Sequence, residues 1–105
     1  MTPGNSPTSP GLPPHPRLRD LKGAAQLLSP LLQVGRAGVT PEFVTALDEA
    51  LRARELVKIR FVEHKDEKKT LARALAEATR SRLVMQVGHV AVYYRPRAGS
   101  AAAHA

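Results

Sequence analysis

The sequence predicts a single α/β domain with the element order α-β-α-β-α-β-β and a mixed four-stranded sheet. Three observations predict it: apolar residues recur at helical spacing in three stretches, four short apolar runs follow or separate them, and Gly, Pro and Thr punctuate the boundaries. At 105 residues, 43% of them apolar, the chain can bury one core but has little room for a deep catalytic cleft.

Residues 1–16 hold six of the nine prolines, interleaved with Gly, Ser, Thr and Asn, and such a composition cannot bury enough surface to offset ordering. They are expected to be a disordered arm, with the folded domain over 17–97 and a featureless tail over 98–105. Leu18, Leu21, Ala25 and Leu28 mark a first helix that stops near Ser29, because Pro30 disfavours helical backbone just before it. Leu31 to Val34 reads as a strand and leads into Gly35-Arg36-Ala37-Gly38. A second helix opens with Thr40 as cap, Pro41 in the first helical position and Glu42 in the first turn. Its buried stripe is expected to be Phe43, Leu47, Ala50 and Leu51.

Val57-Lys58-Ile59-Arg60-Phe61 alternates, placing the apolar residues on one sheet face and the cations on the other. The charged stretch Glu63 to Lys69 leads into a third helix with an expected stripe of Leu71, Ala74, Leu75 and Ala78. Leu83 to Val87 and Val90 to Tyr94 form a hairpin about Gly88-His89, which suits a two-residue turn with glycine first. Helix-linked strands are expected to pair in parallel and the hairpin antiparallel. The second and third helices would cover the face bearing Val57, Ile59, Phe61, Val90, Val92 and Tyr94. The other face would display Gln33, Lys58, Arg60, Gln86, Tyr93 and Arg95.

The net charge of +7 lies wholly between Arg17 and Arg97, and that density attracts polyanions through counterion release. Cysteine is absent, which removes disulfides and thiolate chemistry, and the histidines at 15, 64, 89 and 104 show no metal-ligand spacing. No stretch approaches the ~20 apolar residues of a membrane span. The expectation is a cytoplasmic monomer that is not an enzyme, with no cofactor, metal, membrane or small-molecule substrate.

The Gly-x-x-Gly loop is the candidate binding element. Glycine at both ends lets backbone approach a phosphate, Arg36 supplies charge, and a helix N-terminus lies beyond it. Glu42 opposes a phosphate on the helix axis, so a strand would cross the loop rather than cap the helix. Tyr93, beside Lys58, Arg60 and Arg95 on the expected basic face, would stack a base while the cations hold phosphates. The charged turn with Lys65, Lys68 and Lys69 reads as solvated.

The segments Leu21-Lys22-Gly23, Gln33-Val34-Gly35-Arg36-Ala37-Gly38-Val39-Thr40, Glu55-Leu56-Val57-Lys58-Ile59, Val87-Gly88 and Val92-Tyr93-Tyr94-Arg95-Pro96 occur in an order that resembles the bacterial YhbY family, the stand-alone form of the CRM (chloroplast RNA splicing and ribosome maturation) domain. The resemblance implies a fold similar to the C-terminal domain of translation initiation factor three and a loop like that of KH domains, which clamp single-stranded RNA. It also implies binding to ribosomal RNA in precursors of the large subunit, and it raises Lys22 as a contact. The candidate RNA-binding set is therefore Lys22, Gly35, Arg36, Ala37, Gly38, Lys58, Arg60, Tyr93 and Arg95.

Two alternatives stay open. One is a DNA-binding module, opposed by Glu42, Asp48, Glu49 and Glu55 on or at the end of the second helix. The other is a protein-interaction adaptor using the Pro-x-x-Pro pattern at Pro10 to Pro13.

Overall fold

The computed structural model describes Leu12 and residues 16–96. The expected arm over 1–16, apart from Leu12 and Pro16, and the expected tail over 98–105 lie outside the described residues. Helix α1 (Leu18–Gln26) starts where the Asp20 carboxylate accepts from the Arg17 N–H at 2.9 Å. Strand β1 (Leu32–Val34) follows. Helix α2 (Pro41–Arg54) begins as expected, with Thr40 Oγ1 accepting from the Phe43 N–H at 3.0 Å and Pro41 at the first turn. Strand β2 (Leu56–Phe61) follows α2 after a single residue, and that residue, Glu55, is held at φ 65°. A 3-10 turn (Lys65–Glu67) leads into helix α3 (Lys68–Thr79), and the hairpin of β3 (Arg82–Val87) and β4 (Val90–Tyr94) completes the sheet.

The sheet order is β1-β2-β4-β3, with β1 and β2 parallel and β4 antiparallel to both its neighbours. The expectation of parallel pairing across a helix is met for β1 and β2 and not for β2 and β3. Strand β4 turns back at Gly88-His89 and fills the place between them, so β2 and β3 share a direction without touching.

Helices α2 and α3 bury one face of the sheet around Val34, Leu47, Leu51, Val57, Ile59, Phe61, Leu75 and Tyr93. Helix α1 lies on the other face, where Leu21, Ala25, Leu56, Val84 and Val92 form a second cluster against which Leu12 also packs. Its stripe must leave water, a fully buried leucine alone contributing roughly 1.5–3 kcal/mol, and the second face is the only sheet surface still open.

The expected face assignment of β4 is therefore inverted. Ala91 and Tyr93 point to α2 and α3, whereas Val90, Val92 and Tyr94 point to the α1 side. Val90-Ala91-Val92-Tyr93-Tyr94 contains no charged residue to fix its parity, and a one-residue slip exchanges every side chain. The small Ala91 fits beneath the helices, and Tyr93 is long enough to donate its hydroxyl to the Ala72 carbonyl at 2.8 Å. A register shift between Leu83 and Met85 puts both Val84 and Met85 on the α1 side. The stripe of α3 is likewise Ala72, Leu75 and Thr79, with Leu71 and Ala76 partly buried, and Ala74 and Ala78 are exposed. Thr79 tolerates burial because its hydroxyl donates to the Leu75 carbonyl at 2.7 Å.

Candidate nucleic-acid interface

The Gly35–Gly38 segment is a tight turn closed by the Gly38 N–H donating to the Gly35 carbonyl at 3.0 Å. Gly38 sits at φ 77°, a conformation that favours glycine, whereas a Cβ at Gly35 would meet nothing within 4 Å. Gly35, Arg36 and Ala37 are exposed, so the turn presents its backbone to solvent. The helix beyond offers less than expected: Pro41 has no N–H and Thr40 consumes that of Phe43. The candidate site is therefore the turn itself rather than the axis of α2.

Two contacts fasten the turn to the segment after β2. The Val34 carbonyl accepts from the N–H groups of both Val62 and Glu63, at 3.0 and 3.1 Å. His64, at φ 57°, donates from Nε2 to the Arg36 carbonyl at 2.8 Å and has Glu67 3.4 Å from Nδ1. That carbonyl bond first, and the carboxylates of Glu67 and Glu63 after it, hold the His64 pKa above its ordinary value against the opposing effect of desolvation.

The Phe61 N–H donates to the His89 carbonyl at 2.7 Å, bringing the β-hairpin to the same end of the sheet. Lys68 Nζ donates to His89 Nδ1 at 3.2 Å. Desolvation first, and then the charges of Lys68, Lys65 and Arg60, push the His89 imidazole below its ordinary pKa. Arg36, Arg60, Lys65 and Lys68 thus gather at the edge formed by three turns. Sequence reasoning read Lys65 and Lys68 as solvated and gave His64 and His89 no binding role; the first two lie with His64 in the segment after β2, and the sheet order brings His89 beside them.

The remaining expected residues divide. Lys22 is exposed on α1 beside buried Leu21, and Arg60 is exposed on β2. Lys58 is half-buried, with Nζ donating to the Leu28 carbonyl at 2.8 Å, and it ties the end of α1 to the sheet. Tyr93 has no exposed surface, and burial raises its phenol pKa, so the expected stacking platform is a core residue. Arg95 lies at the opposite end of the sheet from the turn. Its guanidinium donates to Asp48 Oδ1 at 2.7 Å, to the Thr79 carbonyl at 2.6 Å and to the Asp48 carbonyl at 3.0 Å. The hydrogen bond to Arg95 chiefly holds the Asp48 carboxyl below its usual range. The arginine joins α2 to the end of α3, and its expected place on an open basic face is corrected accordingly.

Among the described residues, no cluster of three or more His, Asp or Glu could hold a metal ion, and no helix is long and apolar enough to cross a membrane. A family model, the CRS1 / YhbY (CRM) domain, matches residues 15–95. The chain belongs to this family. It is 37% identical over 78 residues to the "probable RNA-binding protein YqeI" of Bacillus subtilis, covering 73% of this chain and 81% of that one. It is 31% identical over 77 residues to an RNA-binding protein of Haemophilus influenzae, covering 72% and 78%. The solution structure of the hypothetical protein SAV1595 from Staphylococcus aureus superimposes with a TM-score of 0.66 at 38% identity, covering 75% of this chain and 83% of that one. The protein has a compact α/β architecture with three helices and a mixed four-stranded sheet, and its fold matches that structure over the part covered.

Proposed function

We propose that the protein binds RNA without catalysing a reaction, and that its ligand is ribosomal RNA in precursors of the large subunit, whose assembly it aids. The observation that carries this reading is the convergence of the exposed Gly35–Gly38 turn with Arg36, Arg60, Lys65 and Lys68 at one end of the sheet. Main-chain groups of the turn approach the sugar-phosphate strand closely, and the surrounding cations release counterions from it. The names of the relatives support RNA as the ligand. The resemblance to stand-alone CRM proteins supports the ribosomal precursor. A strand crossing the turn leaves its bases free to splay, which is how sequence is read in single-stranded RNA.

Crosslinking in growing cells, with mapping of the attached nucleotides, tests the whole reading. Crosslinks concentrated in precursor ribosomal RNA of the large subunit are expected; crosslinks scattered over messenger RNA would remove the assembly role and keep RNA binding. In vitro, affinity for a ribosomal RNA fragment should fall steeply with salt, with a slope of log K against log salt of about −0.7 for each phosphate neutralised on single strands.

A further inference from the structure

Helix α1 ends at Gln26 and covers only part of its side of the sheet. Beyond its last turn lies a groove of about 420 Å³, lined by Ala25, Met85, Val87, Val90 and Val92, with Gln26 and Lys58 as its polar members. Val92 is fully buried and forms the floor, whereas Val87, on the edge strand β3, is 62% exposed at the rim. Leu12 packs on the same apolar cluster without lining this groove.

The strand register sets charge and apolarity side by side. Across the sheet, Gln33 pairs with Arg60, Arg60 with Val90 and Val90 with Val87; in the adjoining row Lys58 pairs with Val92 and Val92 with Met85. Neighbouring strands lie about 4.8 Å apart, so each row passes from a cation to an apolar surface within two strands. A nucleotide has the same division, with a charged phosphate at one end and a flat, weakly polar ring at the other. Gln26 adds an exposed amide that can donate to and accept from the edge of a ring.

We propose that this groove is a nucleobase subsite, which takes one unstacked base of the strand whose backbone crosses the Gly35–Gly38 turn and passes Arg60. The proposal rests on the RNA-binding reading above and adds where a base is held. Its walls are aliphatic and, among the described residues, Gln26 and Lys58 are its only polar side chains, so the subsite favours a base over bare backbone more strongly than it favours one base over another.

The test compares a fluorescent oligoadenylate of about 12 nucleotides, within the site sizes usual for single-strand binders, with an abasic ribose-phosphate chain of equal length. The intact protein is expected to bind the base-bearing strand about tenfold more tightly, the scale expected when part of one ring is buried against aliphatic side chains. V87S should bring that ratio to about threefold or less while leaving abasic affinity and the melting temperature unchanged. R60Q should lower affinity for both strands and leave the ratio intact. Equal binding of the two strands by the intact protein overturns the subsite and leaves RNA binding standing, whereas binding of neither overturns both. An unchanged ratio in V87S, together with loss of a dimer seen by light scattering for the parent, would make the groove an interface between copies and overturn the proposal.

Discussion

His64 Nε2 donates to the carbonyl oxygen of Arg36 at 2.8 Å, across 28 residues of sequence, so the candidate binding turn is braced by a titratable side chain. This bond and the neighbouring carboxylates raise the His64 pKa above its ordinary 6.5. A raised folded-state pKa means that the stabilisation is fully present below pH 6.5 and is lost as pH rises through the raised value. An NMR titration should show His64 titrating above 6.5 and His89 below it, the latter through desolvation and the charges of Lys68, Lys65 and Arg60. H64A should speed exchange of the Gly38 N–H. The reverse order of the two histidines would show that the brace does not persist in solution.

Arg36→Glu should weaken RNA binding by about 1.4 kcal/mol, or tenfold, and lower the salt slope by at least ~0.7. Arg36 is exposed and has no ion pair among the described residues, so stability should stay within about 0.5 kcal/mol. Filter binding beside thermal melting separates the two effects. Unaltered affinity removes the turn from the interface.

The two glycines should behave differently. A Cβ at Gly38 meets a φ of 77° and the His64 ring at 3.4 Å, so Gly38→Ala should cost roughly 1–2 kcal/mol in stability. Gly35 has open space around it, and Gly35→Val is expected to leave the melting temperature nearly unchanged while reducing RNA affinity by obstructing the strand. If Gly35→Val binds RNA as the parent does, close backbone approach at that glycine is refuted.

Tyr93→Phe and Arg95→Met should act on stability rather than on RNA. The first leaves the Ala72 carbonyl without its hydroxyl partner and should cost about 1–2 kcal/mol. The second deprives Asp48 and the Thr79 carbonyl of their donor and should cost about 2 kcal/mol. Urea unfolding checks both. RNA affinity in native buffer should match the parent, and a tenfold loss in either variant would return that residue to the interface.

How much of this was legible depends on what each residue needed as context. Thr40-Pro41, the Gly88-His89 turn and the alternation from Val57 to Phe61 announce themselves locally, and they carry the element order. The facing of Tyr93 was not legible, because period-two reasoning needs a polar residue on one side and β4 supplies none. The site was half legible. Gly35, Arg36, Gly38 and Arg60 stand where their local pattern suggested, whereas His64, Lys65 and Lys68 join them through the pairing of β1 with β2, and His89 because β4 enters the sheet between β2 and β3. Arg95 misled for the opposite reason. Its partner Asp48 is 47 residues away, and nothing near either residue in sequence announces the pair.

That central place of β4 bears on how the protein comes into being. While translation is under way, β1 with β2 and β3 by itself are two fragments with no shared hydrogen bonds, and the wedge that unites them is the strand synthesised after all the others. A premature stop codon just after Gly88 would therefore yield no half-active product, only a chain for proteases to clear.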